Sequence, residues 1–219
     1  MTRLAVFDCD GTLVDSQANI CTAMEQAFVE AALPPPDRHA IRRIVGLSLP
    51  QAIAALLPDE AMARHLHLAD RYKAHFQALR ASGTMDAEPL FAGIGDVLTH
   101  LGATGWQMGV ATGKSDRGLS LILAHHGITD HFVTLQTADR HPSKPHPAML
   151  EAAMLEAGAA PGQTVVIGDT SYDMEMAVAA GARAIGVDWG YHDPHELIEA
   201  GAVAVARDAQ ELIALLESV

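Results

Sequence analysis

The 219-residue chain carries 14 Lys plus Arg against 27 Asp plus Glu, a formal net charge of −13, and 49% of it is hydrophobic. That length supports a sizeable core, as one large domain or as a domain carrying a smaller insert. The charge excludes a nonspecific electrostatic grip on nucleic acid or anionic lipid, so an anionic ligand must be met by local cations. Only Cys9 and Cys21 are present, no early segment has the pattern of a cleavable leader, and no apolar run approaches 18 residues. The expectation is a soluble, reduced, cytoplasmic protein with no membrane and no nucleic-acid partner; the sequence assigns no oligomeric state.

The chain opens with an apolar run, Leu4-Ala5-Val6-Phe7, which reads as a strand buried on both faces. From residue 17 to residue 82 it reads mainly as helices, broken at Pro34-Pro35-Pro36, at residues 46–50 and near Pro58. Strands and helices then alternate. Helices are expected at 94–104, 119–126, 148–157, 174–180 and 209–217, and strands at 107–111, 132–136, 164–167, 184–187 and 203–205. Alternation of this kind implies a parallel sheet covered on both faces. The fold class is therefore α/β, a Rossmann-like parallel sheet with an inserted helical block. The expected division is a core of residues 1–15 and 86–219 and a helical cap of residues 16–85.

In an open parallel sheet, ligands bind beyond the carboxyl ends of the strands. The first strand ends in Asp8-Cys9-Asp10-Gly11-Thr12, and the strand at 107–111 ends in Thr112-Gly113-Lys114-Ser115. A loop before the helix at 148 holds Ser143-Lys144-Pro145, and the strand at 164–167 ends in Gly168-Asp169-Thr170-Ser171-Tyr172-Asp173. A buried strand that ends in unpaired carboxylates exposes them to a large desolvation cost unless a cation lies nearby.

This ordered set resembles the haloacid dehalogenase superfamily of phosphohydrolases, with its Asp-x-Asp-x-Thr, its Thr or Ser after the second core strand, its Lys and its Gly-Asp-x-x-x-Asp. The resemblance covers nearly the whole chain, because the helical block lies where that family inserts a cap between the first and second motifs. It is nearest to the phosphoglycolate phosphatase-like branch, whose opening is similar to Phe7-Asp8-Cys9-Asp10-Gly11-Thr12-Leu13-Val14-Asp15-Ser16.

The resemblance implies a Mg²⁺-dependent phosphomonoesterase acting on a small phosphorylated metabolite. Asp8 and Asp169 would supply side-chain ligands to Mg²⁺ and Asp10 its backbone carbonyl. Asp8 would be the nucleophile, forming an aspartyl-phosphate, and Asp10 the acid for the leaving oxygen and then the base for water. Thr112 and the amides near Gly113 would hold phosphoryl oxygens, and Lys144 would neutralise the transferring group while restraining Asp8. Asp173 would orient the metal's surroundings or Lys144, and Gly11 would let the backbone turn beneath the phosphate. The need for cations is physical: two phosphate charges and one carboxylate at ~4 Å repel by roughly 8 kcal/mol at an effective dielectric near 20.

Two other readings stand beside this one. A β-phosphoglucomutase-type phosphomutase would be expected to carry a His and an Arg where this chain has Ile20 and Leu49. A noncatalytic binder of a phosphorylated ligand would use the same fold without turnover. In the cap, the turn Gly46-Leu47-Ser48 is the expected meeting point with the substrate, with Arg42 or Arg43 as partners. Cys9 is expected in the core, Ser115 as a helix cap, and His65, His67 and His75 as no metal site.

Overall fold

The computed structural model describes residues 2–218. Six strands, β1 (Arg3–Phe7), β2 (Trp106–Thr112), β3 (Phe132–Thr137), β4 (Thr164–Gly168), β5 (Arg183–Val187) and β6 (Ala204–Ala206), form one sheet in the order β3-β2-β1-β4-β5-β6. Every pairing is parallel. The register sets Phe7 beside Val110 on one side and Ile167 on the other, so the residues that follow β1 emerge between the ends of β2 and β4. The chain builds outward from β1 in one direction through β3 and then reverses to add β4 through β6. That reversal opens a crevice above β1, where open α/β sheets bind ligands.

Strand alternation separates two core layers. Ala5 and Phe7 join the cluster formed with α5 (Ile94–Ala103), α6 (Asp116–His125) and α10 (Ala209–Ser218), through residues such as Leu98, Leu119 and Leu212. Leu4 and Val6 face α7 (Ala148–Ala157), α8 (Ser171–Ala179) and α9 (Pro194–Glu199), through Leu150, Met174 and Leu197. Because β1 is covered on both faces, it carries no polar alternation. Cys9 lies in the first of these clusters, fully buried.

The helical block comprises α1 (Gln17–Glu30), α2 (Arg38–Arg43), α3 (Leu49–Leu56) and α4 (Met62–Ser82), built around a separate cluster that includes Met24, Phe28, Ile41, Ile53 and Leu68. The breaks fall where the sequence places them: Asp37, after the prolines, caps α2 by accepting from the His39 amide at 2.6 Å. Helix α9 went unread. It begins with Asp193-Pro194, and Asp193 and Glu196 form a reciprocal capping box, a start signal hidden by the helix's six residues. Among the described residues no helix is long and apolar enough to cross a membrane.

Candidate active site

The four sequence segments converge at the crevice. Asp8 follows β1 and is anchored by its amide, which donates to Ile167 O at 2.9 Å. Lys144, from the loop between β3 and α7, is fully buried, with Nζ 2.9 Å from Asp8 Oδ1 and 2.6 Å from Asp173 Oδ1. Carboxylate oxygens of Asp8, Asp169 and Asp173 all lie within 4.8 Å of one another. A single ammonium thus answers three buried carboxylates.

The three acids differ in how they are held. Asp169 Oδ1 accepts from Thr12 Oγ1 at 2.7 Å, and its Oδ2 accepts from the Tyr191 amide at 3.0 Å. Asp173 Oδ2 accepts from Thr170 Oγ1 at 2.7 Å and the Thr170 amide at 3.2 Å, a capping box at the start of α8. Its other oxygen meets Lys144. Asp8 alone is bare: apart from the ion pair, neither of its buried carboxylate oxygens has a hydrogen-bond partner.

Burial pushes the Asp8 carboxyl up to about 7, with Lys144 pulling it down and the neighbouring Asp173 adding to the rise. Burial, and then Asp8, hold Asp169 well above the usual carboxylate range. Burial opposes the charge on Lys144, yet Asp173 and Asp8 together keep its ammonium more firmly protonated than usual.

Asp10 points to a different set of partners. Its Oδ1 accepts from Ser16 Oγ and pairs with Lys114 Nζ at 2.8 Å. Thr112, buried at the end of β2, accepts from the Lys114 amide at 3.3 Å and lines the cavity beside Gly113. A Cβ on Gly113 would overlap the backbone carbonyls of Leu47 and Gly46, so the cap turn approaches the β2 loop closely enough to require glycine there. Gly11, at φ +88°, faces a similar constraint from another source: a Cβ would overlap the Asp169 carboxylate and the Tyr191 ring.

Between the helical block and the sheet lies a cavity of about 200 Å³, reached by Asp8, Asp10, Thr112 and the turn Gly46-Leu47-Ser48. Ile20 and Leu49 also line it. The arginines expected there are elsewhere. Arg43 forms a two-pronged pair with Glu196 of α9 at 2.5 and 2.8 Å, which holds the Glu196 carboxyl down at about 2. The Arg43 carbonyl accepts from Tyr172 Oη at 3.2 Å and lies at the same distance from His192 Nε2. Arg42 donates to Gln17 Oε1 at 3.4 Å. Arg43 thus clasps the block to the sheet domain, while the Arg42 contact stays within the block; the cations that line the cavity are Lys73, Arg80, Lys114 and Arg117.

Several residues of the site escaped the sequence reading. Lys114 sits inside the second motif and was passed over for its neighbours. Tyr191 and His192 follow β5 in a loop with no recognised motif, although its position at the carboxyl edge of the sheet is itself a signal. Ser115 caps α6, accepting from the Gly118 amide at 3.1 Å, as its position suggests. His65 contacts the Leu57 carbonyl and His75 contacts Glu30.

A divalent cation fits this site. The available donors are all oxygen, one of them the unpartnered Asp8 Oδ2, and three carboxylates outnumber the single lysine. Hard, oxygen-seeking ions such as Mg²⁺ suit that chemistry.

Residues 5–187 match the model of the haloacid dehalogenase-like hydrolase family. The chain is 34% identical over 217 residues to a protein of Dickeya dadantii named probable phosphatase IndB, covering 97% of this chain and 93% of that one. It is 29% identical to a phosphoglycolate phosphatase of Pseudomonas putida, over 88% and 71% of the two chains. A solved hydrolase from Pseudomonas syringae superposes with a TM-score of 0.87 at 24% identity, over 100% and 99% of the two chains, and shares the fold. With all four motifs gathered at one crevice and the family model spanning most of its length, the chain belongs to the haloacid dehalogenase-like hydrolases and is an enzyme of their phosphatase type.

Proposed function

We propose that this enzyme hydrolyses the phosphomonoester of a small phosphorylated metabolite by way of an aspartyl-phosphate on Asp8, with Mg²⁺ held by Asp8, Asp169 and the Asp10 backbone carbonyl. One observation carries the reading: a buried carboxylate at the carboxyl end of β1 whose only partner is the Lys144 ammonium on Oδ1. Its other oxygen keeps its lone pairs for attack, and the paired lysine restrains its orientation.

In this reading Asp8 attacks phosphorus, and the ester oxygen departs with a proton from Asp10. Asp10 then takes a proton from water, which cleaves the acyl phosphate and releases inorganic phosphate. The ion, when bound, supplies charge neutralisation between the incoming phosphate and Asp8. Lys144 adds the second positive charge, and Asp173 positions Lys144 while itself fixed by Thr170. Thr112 and the Gly113 amide hold phosphoryl oxygens. The helical block of residues 16–85 acts as a cap over the core of residues 1–15 and 86–219, excluding water while the leaving group is expelled. The buried thiols of Cys9 and Cys21 suit a reducing, cytoplasmic setting.

The test is release of p-nitrophenol from p-nitrophenyl phosphate with Mg²⁺ and with a chelator. Turnover is expected only with the ion, and Asp8→Asn is expected to abolish it. Full activity in Asp8→Asn would overturn the nucleophile assignment, and binding of phosphate esters with no turnover would favour the noncatalytic reading.

A further inference from the structure

In a chain of net charge −13, the cavity is an exception. Its lining holds Lys73, Arg80, Lys114 and Arg117 against the carboxylates of Asp8, Asp10 and Asp139. Asp8 belongs to the reacting centre, and Asp139 accepts the Asp116 amide at 2.9 Å. Among the described residues, Lys73, Arg80 and Arg117 take part in no ion pair or side-chain hydrogen bond; Lys114 pairs only with Asp10.

Two of these cations share a seat. The Arg80 guanidinium lies 5.6 Å from the centroid of the Phe76 ring, and Lys114 Nζ lies 6.0 Å from the same centroid. Lys73, Phe76, Gln77 and Arg80 recur at the spacing of one helical face, so α4 turns this stripe toward the cavity. The Lys114 side chain is only 13% exposed, and Met24 and Tyr72 also line the cavity. A cation so enclosed needs anionic company: the one carboxylate in ion-pairing range is Asp10, which serves the leaving oxygen, and Glu88 is a further acid whose charge acts on both Lys114 and Arg80.

We propose that Lys114 and Arg80, gathered on Phe76, form a second anion subsite for a carboxylate or phosphate on the alcohol portion of the substrate. The proposal rests on the phosphatase reading above and deepens it. Because Lys114 Nζ is 2.8 Å from Asp10 Oδ1, the second anion lies within a few bonds of the ester oxygen. The cavity is also compact: a void of about 150 Å³ holds benzene, so about 200 Å³ takes on the order of ten heavy atoms, phosphoryl group included. Preferred substrates are then acidic esters.

The experiment compares kcat/KM at saturating Mg²⁺ within matched ester pairs. Phosphoglycolate against hydroxyethyl phosphate probes a carboxylate, and propanediol bisphosphate against propanediol monophosphate probes a second phosphate. The unmodified enzyme is expected to favour the acidic member of at least one pair by roughly 10- to 100-fold, the usual value of a charge-assisted contact. Arg80→Gln should cut that preference by about tenfold, mainly through KM, and Lys114→Gln by a similar factor, with Lys114→Arg restoring most of it.

Equal treatment of acidic and neutral esters by the unmodified enzyme would overturn the proposal. So would variants that slow both members of a pair alike, since the two residues would then serve the fold or Asp10 alone. If the unmodified enzyme turned over no ester, the phosphatase reading would fail instead. Calorimetric binding of the same pairs to the unmodified protein and to Arg80→Gln would then decide the subsite on the same ratio.

Discussion

Replacing Lys144 by Met is the most direct test of the electrostatics at the crevice. The side chain is fully buried and sits 2.9 and 2.6 Å from Asp8 and Asp173, with Asp169 part of the same carboxylate cluster. Met matches the lysine stem in length and removes only the charge and its donors. Removing one partner of a buried pair strands the other and costs about 3–5 kcal/mol. At roughly 2–4 °C per kcal/mol for a protein of this size, the melting temperature should fall by about 6–20 °C in metal-free buffer at neutral pH. Differential scanning calorimetry measures this directly. Adding Asp173→Asn removes one of the stranded charges, so the double variant should recover part of the loss. A single variant melting within about 2 °C of the parent, or a double variant whose loss is the sum of the two singles, would refute this account.

Three further outcomes follow from the same geometry. The Asp8 carboxyl, at about 7 in the folded chain, binds its proton more tightly than in the unfolded chain, so its protonated form contributes stability at low pH. That contribution should be lost as pH rises from about 4 to about 7, at up to ~1.4 kcal/mol per pH unit without metal. Mg²⁺ should flatten the curve, and denaturant midpoints in chelator and in Mg²⁺ check both slopes. Gly11→Ala would force a Cβ into Asp169 and Tyr191 at a positive φ, so metal affinity measured by calorimetry should fall by an order of magnitude or more. Glu196→Gln loosens the clasp on Arg43, a partly exposed pair worth about 0.2–1 kcal/mol, so KM should rise by roughly 1.5- to 5-fold with little change in melting temperature.

The sheet, and the gathering of the four motifs at its rim, were legible because each rests on a local rule. Apolar runs of four or five residues followed by Asp or Thr mark strands that end at a rim, and parallel topology brings those rims together. What was missed depends on pairings distant in sequence. Arg43 reads as a cap residue free to meet a substrate, yet 153 positions separate it from Glu196, the carboxylate that engages it. Lys114 reads as the tail of a motif, but its partner is Asp10 and its seat is a ring on α4. Gly11 reads correctly as a glycine position, but the obstacle beneath it comes from Asp169 and Tyr191. In each case residue type was visible and the partner was not, because the partner is set by tertiary packing: of α1 through α4 on the sheet for Arg43 and the Phe76 ring, and of the loops at the sheet's carboxyl edge for Gly11 and Asp10.

The three buried acids draw their partners from different parts of the chain. Asp173 lies in the first turn of α8, where the Thr170 amide and hydroxyl reach it from three residues away, whereas Asp169, just after β4, is met by the distant Thr12 hydroxyl and Tyr191 amide. Asp8 follows β1, one of the two central strands, flanked by β2 and β4, and the chain turns away from it at once through Cys9 and Gly11. Its amide is used by the sheet, and no turn of its own folds back to donate to the carboxylate. Central position alone does not set this contrast, since β4 is as central as β1 and Asp169 beyond it is reached by Thr12 and Tyr191. What distinguishes Asp8 is that its compensating charge comes from a separate loop, through Lys144.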